Sequence, residues 1–280
     1  RLRKGLFPGL DANGAPMEFE GAEITPYDPI TKEAITSLGK SDVKDFLTGG
    51  VKLNLSYVIR GGHRVYADAA YVTDAPRFNQ AFVSPRTRNS IVPDLKTSKT
   101  FAADLNYAYS NSGYDVRVTG YYTTIKDQSK VMSFYDDAQN SFTNFAMSGM
   151  DERHVGVELG FKVPLPVPNL SLQGVLSYGQ YVYTSNPVMY QTYDNSAAIV
   201  EETYGVTIPY WKSHPTAEGK TVKHYVSGTP QFATSLGLAW NKNYWFVDAD
   251  VDWFDKAYLD MNPLYRTDMA TAGPDKTVTP

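Results

Sequence analysis

From Val51 onward, apolar and polar residues alternate with a period of two, and the alternating stretches come in pairs. Val51, Leu53, Leu55 and Tyr57 form one stripe, and Val65, Ala67, Ala69 and Tyr71 follow after a turn at Arg60-Gly61-Gly62-His63. The second pair carries Phe101, Ala103, Leu105, Tyr107 and Tyr109, then Tyr114, Val116, Val118, Gly120 and Tyr122 across Asn111-Ser112-Gly113. Val155 to Val163 alternates and leads through Pro164–Asn169 into a less regular stretch, Leu170 to Tyr183. The last pair runs from Phe232 to Trp240 and from Trp245 to Trp253, turning at Asn241-Lys242-Asn243. Period two is the mark of strands with one apolar face, so the chain reads as eight strands in four hairpins. Between the pairs lie long segments, Thr73–Lys99, Lys126–Met150 and Thr184–Thr229, without sustained alternation. Soluble sandwiches alternate too, but loops beyond about 15 residues are uncommon in compact domains. Short turns at one end and long loops at the other are the pattern of outer-membrane barrels.

The rings separate lipid from water. Four apolar faces carry aromatics eight residues apart: Phe101 with Tyr109, Tyr114 with Tyr122, Phe232 with Trp240, and Trp245 with Trp253. Eight residues at about 3.3 Å each cover roughly 26 Å of strand, or about 19 Å of bilayer at a tilt near 45°. Aromatic girdles at both interfaces with aliphatics between are expected of a lipid-facing strand. With 21 Tyr, 13 Phe and 4 Trp in 280 residues, the chain has the rings for such belts. Asp104, Asp115, Arg117, Glu158, Lys162, Asp248, Asp250 and Asp252 all fall on the opposite face. A hydrated lumen tolerates them, whereas lipid would charge about 2–4 kcal/mol for each basic one near the midplane; a solvated face of a soluble sheet accounts for them equally well.

Other classes fall away. A formal net charge of −4 argues against nucleic acid, whose binders carry a basic excess. The absence of cysteine excludes disulfides, thiolate zinc sites and a cysteine nucleophile. No apolar run approaches the 18 residues of a membrane-spanning helix. Asp248-Ala249-Asp250-Val251-Asp252 imitates the start of a calcium loop, but Trp253 and Leu259 stand where glycine and glutamate are needed, so the acids read as a lumen row. His63, His154, His214 and His224 lack metal-pair spacing. No catalytic residue, metal site or cofactor is expected, and the chain is not expected to be an enzyme.

The first 45 residues are dominated by turn residues, including Asp11-Ala12-Asn13-Gly14-Ala15-Pro16 and Thr25-Pro26-Tyr27-Asp28-Pro29, with a weak helical turn expected over Thr31–Leu38. The long segments are rich in aromatics: Phe134-Tyr135, Phe142 and Phe145 in one, Tyr190, Tyr193, Tyr204 and Tyr210-Trp211 in another. Such rings either cover one another in a packed loop or form a platform that stacks on a ligand. The candidate ligand contacts are Tyr210, Trp211, Lys212, Tyr204, Phe134 and Tyr135.

Several motifs in order along the chain resemble the barrel of TonB-dependent outer-membrane receptors, in the group with a carboxypeptidase-regulatory-like domain before the plug. They are Ala75-Pro76-Arg77-Phe78 with Ser84-Pro85-Arg86-Thr87-Arg88-Asn89, Gly120-Tyr121-Tyr122-Thr123, and Arg153-His154-Val155-Gly156-Val157-Glu158. Ser227-Gly228-Thr229-Pro230-Gln231 and Tyr258-Leu259-Asp260-Met261-Asn262-Pro263 continue the series. Leu95-Lys96 followed by Thr97-Ser98-Lys99, and Tyr265-Arg266 where the family tends to paired arginines, depart from it. The resemblance implies an all-β fold: an antiparallel transmembrane β-barrel segment with long extracellular loops, about eight of roughly 22 strands. Residues 1–45 are then an extracellular loop and turn region, 46–256 four hairpins and 257–280 a further loop, with barrel closure and plug supplied by the rest of a longer chain. It further implies outer-membrane lipid, the plug and the inner-membrane TonB complex as partners, a surface lipoprotein as a possible one, and active import of a small molecule, peptide or glycan in a Gram-negative bacterium. The alternatives are a passive porin-like channel and a soluble β-rich carbohydrate-binding protein.

Overall fold

A computed structural model describes residues 2, 5–6, 23–27, 34–37 and 39–268, apart from 87, 89, 138–139, 195–198 and 216–218. The expected turn at Asp11–Pro16 and the end of the expected terminal loop, from residue 269, lie outside the described residues. Eight long strands are present: β1 (Gly49–Val58), β2 (His63–Asp74), β3 (Ser98–Asn111), β4 (Tyr114–Asp136), β5 (Ser141–Pro164), β6 (Leu170–Tyr183), β7 (Phe232–Lys242) and β8 (Trp245–Asp255). Each pairs antiparallel with its sequence neighbour, so the sheet is an unbroken meander from β1 to β8. The expected hairpins are therefore all present.

Register carries one apolar face across the sheet. Tyr57 lies opposite Val65, Val65 opposite Tyr107, Tyr107 opposite Val118, Val118 opposite Leu159, and Leu159 opposite Leu176. Leu176 continues to Thr234, and Thr234 to Trp253. Among the described residues nothing covers this face: Leu105 is 61% exposed, Val118 43%, Leu238 44% and Val251 71%. An apolar surface spanning eight strands has no place in water, since monomeric soluble proteins rarely leave more than a few hundred Å² of contiguous apolar surface bare. At the short-turn end, Tyr109 and Tyr114 flank the turn Ser112–Gly113, and Trp240 and Trp245 flank Asn243–Tyr244. Both turns hold two residues at positive φ (49° and 85°, 49° and 69°), the two-residue geometry whose twist matches a hairpin.

The other face is polar and internally bonded. Asn106, almost fully buried, donates to Asp104 and accepts from Thr119 (2.7 Å) and Arg117 (3.4 Å). The Arg117 guanidinium lies 5.5 Å from the centre of the Tyr66 ring. Tyr121 and Tyr181 join hydroxyls at 2.6 Å above Gly156 and Gly179. Those glycines leave the space: a Cβ on Gly156 would stand 2.6 Å from the Tyr178 carbonyl oxygen.

Two expectations need correction. Lys126–Met150 is not a loop: β4 and β5 continue as a hairpin with a bulge between Ile125 and Gln128, where Asp127 has φ 57°. At 23 and 24 residues, these strands are about twice the 9–11 needed to cross a bilayer, so their distal halves stand clear of it. A short strand, Val188–Tyr193, pairs with Thr143–Ser148 of β5, giving the segment after β6 regular structure as well. Alternation vanishes here because both faces of the distal sheet are covered. Phe82, Val83, Val92 and Leu95 pack on Ala146 and Tyr190, whereas Ile208 and Trp211 join Met132, Phe145, Met147 and Met189. The second correction concerns Thr31–Leu38. Residues 31–33 and 38 lie outside the described residues, but Ala34–Ser37 is a strand paired with Glu23–Tyr27, not a helical turn. β-Branched Ile35 and Thr36 favour extended backbone, and the pairing slips beside Pro26, which has no N–H to give.

Candidate functional site

At the long-loop end, the distal β4–β5 hairpin and the segments before β7 and after β8 enclose a cleft of about 670 Å³. Its walls are Phe134, Tyr135, His224, Tyr225, Tyr258, Leu259, Met261 and Tyr265, with Asp260 and Asn262 as polar points. A concave, mostly aromatic surface with few convergent polar groups is the usual form of a small-molecule site.

Each wall is fixed by backbone bonds. The Tyr183 N–H donates to the His224 carbonyl (3.0 Å) and the Val226 N–H to that of Tyr181 (2.9 Å), docking 224–226 on the end of β6. Gly228 N–H donates to the Tyr258 carbonyl at 3.0 Å, and the Tyr225 and Tyr258 rings stack at 4.4 Å, only 9° from parallel. Burial raises the Tyr258 hydroxyl above its ordinary pKa, keeping it a neutral donor. Asp260 ties this segment back to β4 through Lys130 (2.5 Å) and accepts from Ser227 Oγ. Burial alone would raise the Asp260 carboxyl, but Lys130 and Ser227 outweigh it and hold its pKa below 3.8. His224 donates Nδ1–H to the Trp211 carbonyl at 2.8 Å. Burial, helped by the Arg266 charge, lowers its pKa to about 3, so the imidazole in the cleft wall is neutral.

The six candidate contacts separate. Phe134 and Tyr135 line the cleft; Tyr135 is half-exposed, edge-on to Phe142 at 5.4 Å, and bonded to Asn140. Trp211 is 1% exposed, packed against Tyr183 and His224, so as placed it fills the loop core and offers no open face. Tyr204 packs edge-on against Tyr190 at 5.1 Å, away from the cleft. Tyr210 is half-buried, 5.2 Å from His214, and Lys212 is exposed, its N–H on Asn186. Tyr225, Tyr258 and Tyr265 complete the walls without having been singled out as contacts. The density of rings after His214 was the available signal, and only the fold shows that two separate segments bring them together.

Residues 40–277 match the family model described as TonB dependent receptor-like, beta-barrel. The chain belongs to this family of TonB-dependent receptor β-barrels. Among solved structures, the barrel resembles one described as "Copper transporter OprC", with 13% sequence identity and a TM-score of 0.51. The likeness covers 87% of this chain but 32% of that one, so the chain spans about a third of that structure's length. A comparison with curated proteins gives no match. In TonB-dependent receptor barrels, as in outer-membrane barrels generally, short turns face the periplasm and long loops the exterior. The aromatic cleft therefore sits at the extracellular mouth, and the face of Asn106, Arg117 and Glu158 looks into the lumen.

Proposed function

We propose that the chain is the loop-bearing part of an outer-membrane receptor that captures a nutrient in the aromatic cleft and imports it actively into the periplasm. The observation that carries the reading is the cleft itself: rings from three separate segments meet at the end of the sheet that bears the long loops. No covalent reaction is assigned to the chain; transport is binding followed by a conformational gate. Gating requires a plug domain inside the completed barrel and an inner-membrane TonB complex to pull on it. Lipid contacts follow from the uncovered apolar face. A surface lipoprotein fits as a lid over the long loops, and the host is a Gram-negative bacterium.

The test is growth of a strain lacking the complete gene on a panel of chelates, peptides and glycans as limiting nutrients, with and without the TonB complex. Import predicts one nutrient whose use needs both the gene and the complex. A growth defect indifferent to the complex points instead to a passive channel, and no defect on any nutrient removes the transport reading.

A further inference from the structure

Behind the cleft lies a cation with no counter-ion among the described residues. Arg266, just after the cleft residue Tyr265, is completely buried. Its Nη1 reaches the Tyr210 carbonyl at a long 3.4 Å, while buried Nε and Nη2 meet no acceptor among the described residues. The Nε1–H of Trp211, next to Tyr210, is likewise buried without an acceptor among the described residues. The two segments are clasped, because the Tyr210 N–H donates to the Arg266 carbonyl at 3.2 Å. His224, which lines the cleft, sits beside these donors: its ring lies 4.5 Å from that of Trp211, and the Arg266 charge acts on it. Two acids near the cleft are engaged elsewhere, Asp260 with Lys130 and Ser227, and Glu152 with His154 at 3.0 Å.

Buried charges in proteins are almost always paired, and an uncompensated one is strongly destabilising. A guanidinium presents its N–H groups in a planar fork that matches a carboxylate. The indole N–H adds a third, neutral donor. The geometry points to an oxyanion site formed by Arg266 Nε and Nη2 with Trp211 Nε1, taking a carboxylate. The site deepens the reading of the cleft as the ligand site: a ring stacks on the Tyr225–Tyr258 wall while its carboxylate turns inward past His224. Sugar acids and aryl carboxylates have this form, and neutral sugars do not.

The test uses the complete receptor in detergent, labelled with fluorotryptophan, the Trp211 fluorine resonance being identified by its loss in Trp211→Phe. Acetate probes a free small anion, glucuronate a ring-borne one, and glucose the ring alone. Acetate and glucuronate should each shift the Trp211 resonance saturably, glucuronate at lower concentration, with glucose inert. Arg266→Gln should abolish both shifts, and Tyr258→Ala should weaken glucuronate while leaving acetate unchanged. Thermal midpoints give a second readout. Acetate should raise the wild-type midpoint by mass action and leave that of Arg266→Gln unmoved. Without acetate, Arg266→Gln should melt no lower than wild type, because an unpaired buried charge has been removed. No response of the wild type to acetate, or a response that survives Arg266→Gln, overturns the site. Glucuronate no tighter than acetate, with Tyr258→Ala silent, overturns the ring-borne ligand and leaves a free anion. These outcomes are independent of the import test, since a receptor that transports nothing still binds or fails to bind acetate.

Discussion

Trp211→Ala distinguishes a packed extracellular cap from a set of loose binding loops. Trp211 is 1% exposed within a cluster of Met132, Phe145, Met147, Met150, Tyr183, Met189 and Ile208. Truncating a fully buried large aromatic costs about 3–5 kcal/mol. That loss falls on the cap, because the cluster joins the distal β4–β5 hairpin to the segments around Ile208 and Leu264 and reaches the membrane-spanning sheet only at the end of β6. At about 1.4 kcal/mol per factor of ten, local opening of the cap becomes roughly two to almost four powers of ten more frequent. Hydrogen exchange on the complete receptor in detergent reads this directly: the amides of Phe145, Met147 and Met189 should lose that much protection, while those of Leu105 and Val118 keep theirs. Tyr135→Ala, at a ring already 53% exposed, should leave all of them nearly unchanged. Unaltered protection in Trp211→Ala refutes the reasoning and returns Trp211 to the role of ligand platform.

Three further outcomes follow from the same geometry. Gly156→Ala should weaken the barrel by about 1–3 kcal/mol, as overpacking does, because its Cβ would meet the Tyr178 carbonyl at 2.6 Å and the Tyr121 hydroxyl at 2.5 Å; the temperature at which the barrel unfolds in detergent should fall. Val118→Arg should impair assembly by about 2–4 kcal/mol in bilayers, and Thr119→Arg on the lumen face by much less, read as the folded fraction in vesicles. His224 titrates near 6.5 when unfolded and at about 3 when folded. The unfolded state therefore binds the proton first, and stability is lost as pH falls from 6.5 toward 3; His224→Gln should flatten that part of the profile of cap protection against pH.

The membrane-spanning strands were legible in the sequence because each has one face in lipid and one in a polar lumen, which writes period two directly into residues such as Tyr114 to Tyr122. The distal sheet was not. Val131 and Met132, Ala146 and Met147, and Met189 and Tyr190 are neighbours that enter opposite clusters, so apolar residues run consecutively and the alternation disappears. The cleft was half legible: Phe134-Tyr135 stood out as an exposed aromatic pair, whereas Tyr258 and Tyr265 sat in a Pro- and Asn-bearing tail that reads as loop. Arg266 showed only as part of a departure from the family's paired arginines, since a single arginine after a tyrosine looks like surface until packing buries it.

The orientation of the two faces is tested most directly by spin labels. With no cysteine to remove, single cysteines at Val118 and Thr119 of the complete receptor in a bilayer report collisions with oxygen and with a polar nickel chelate. A lipid-facing Val118 gives high oxygen and low nickel accessibility, with Thr119 showing no such preference for oxygen. Equal nickel accessibility at both positions, or an oxygen preference at Thr119 alone, contradicts it.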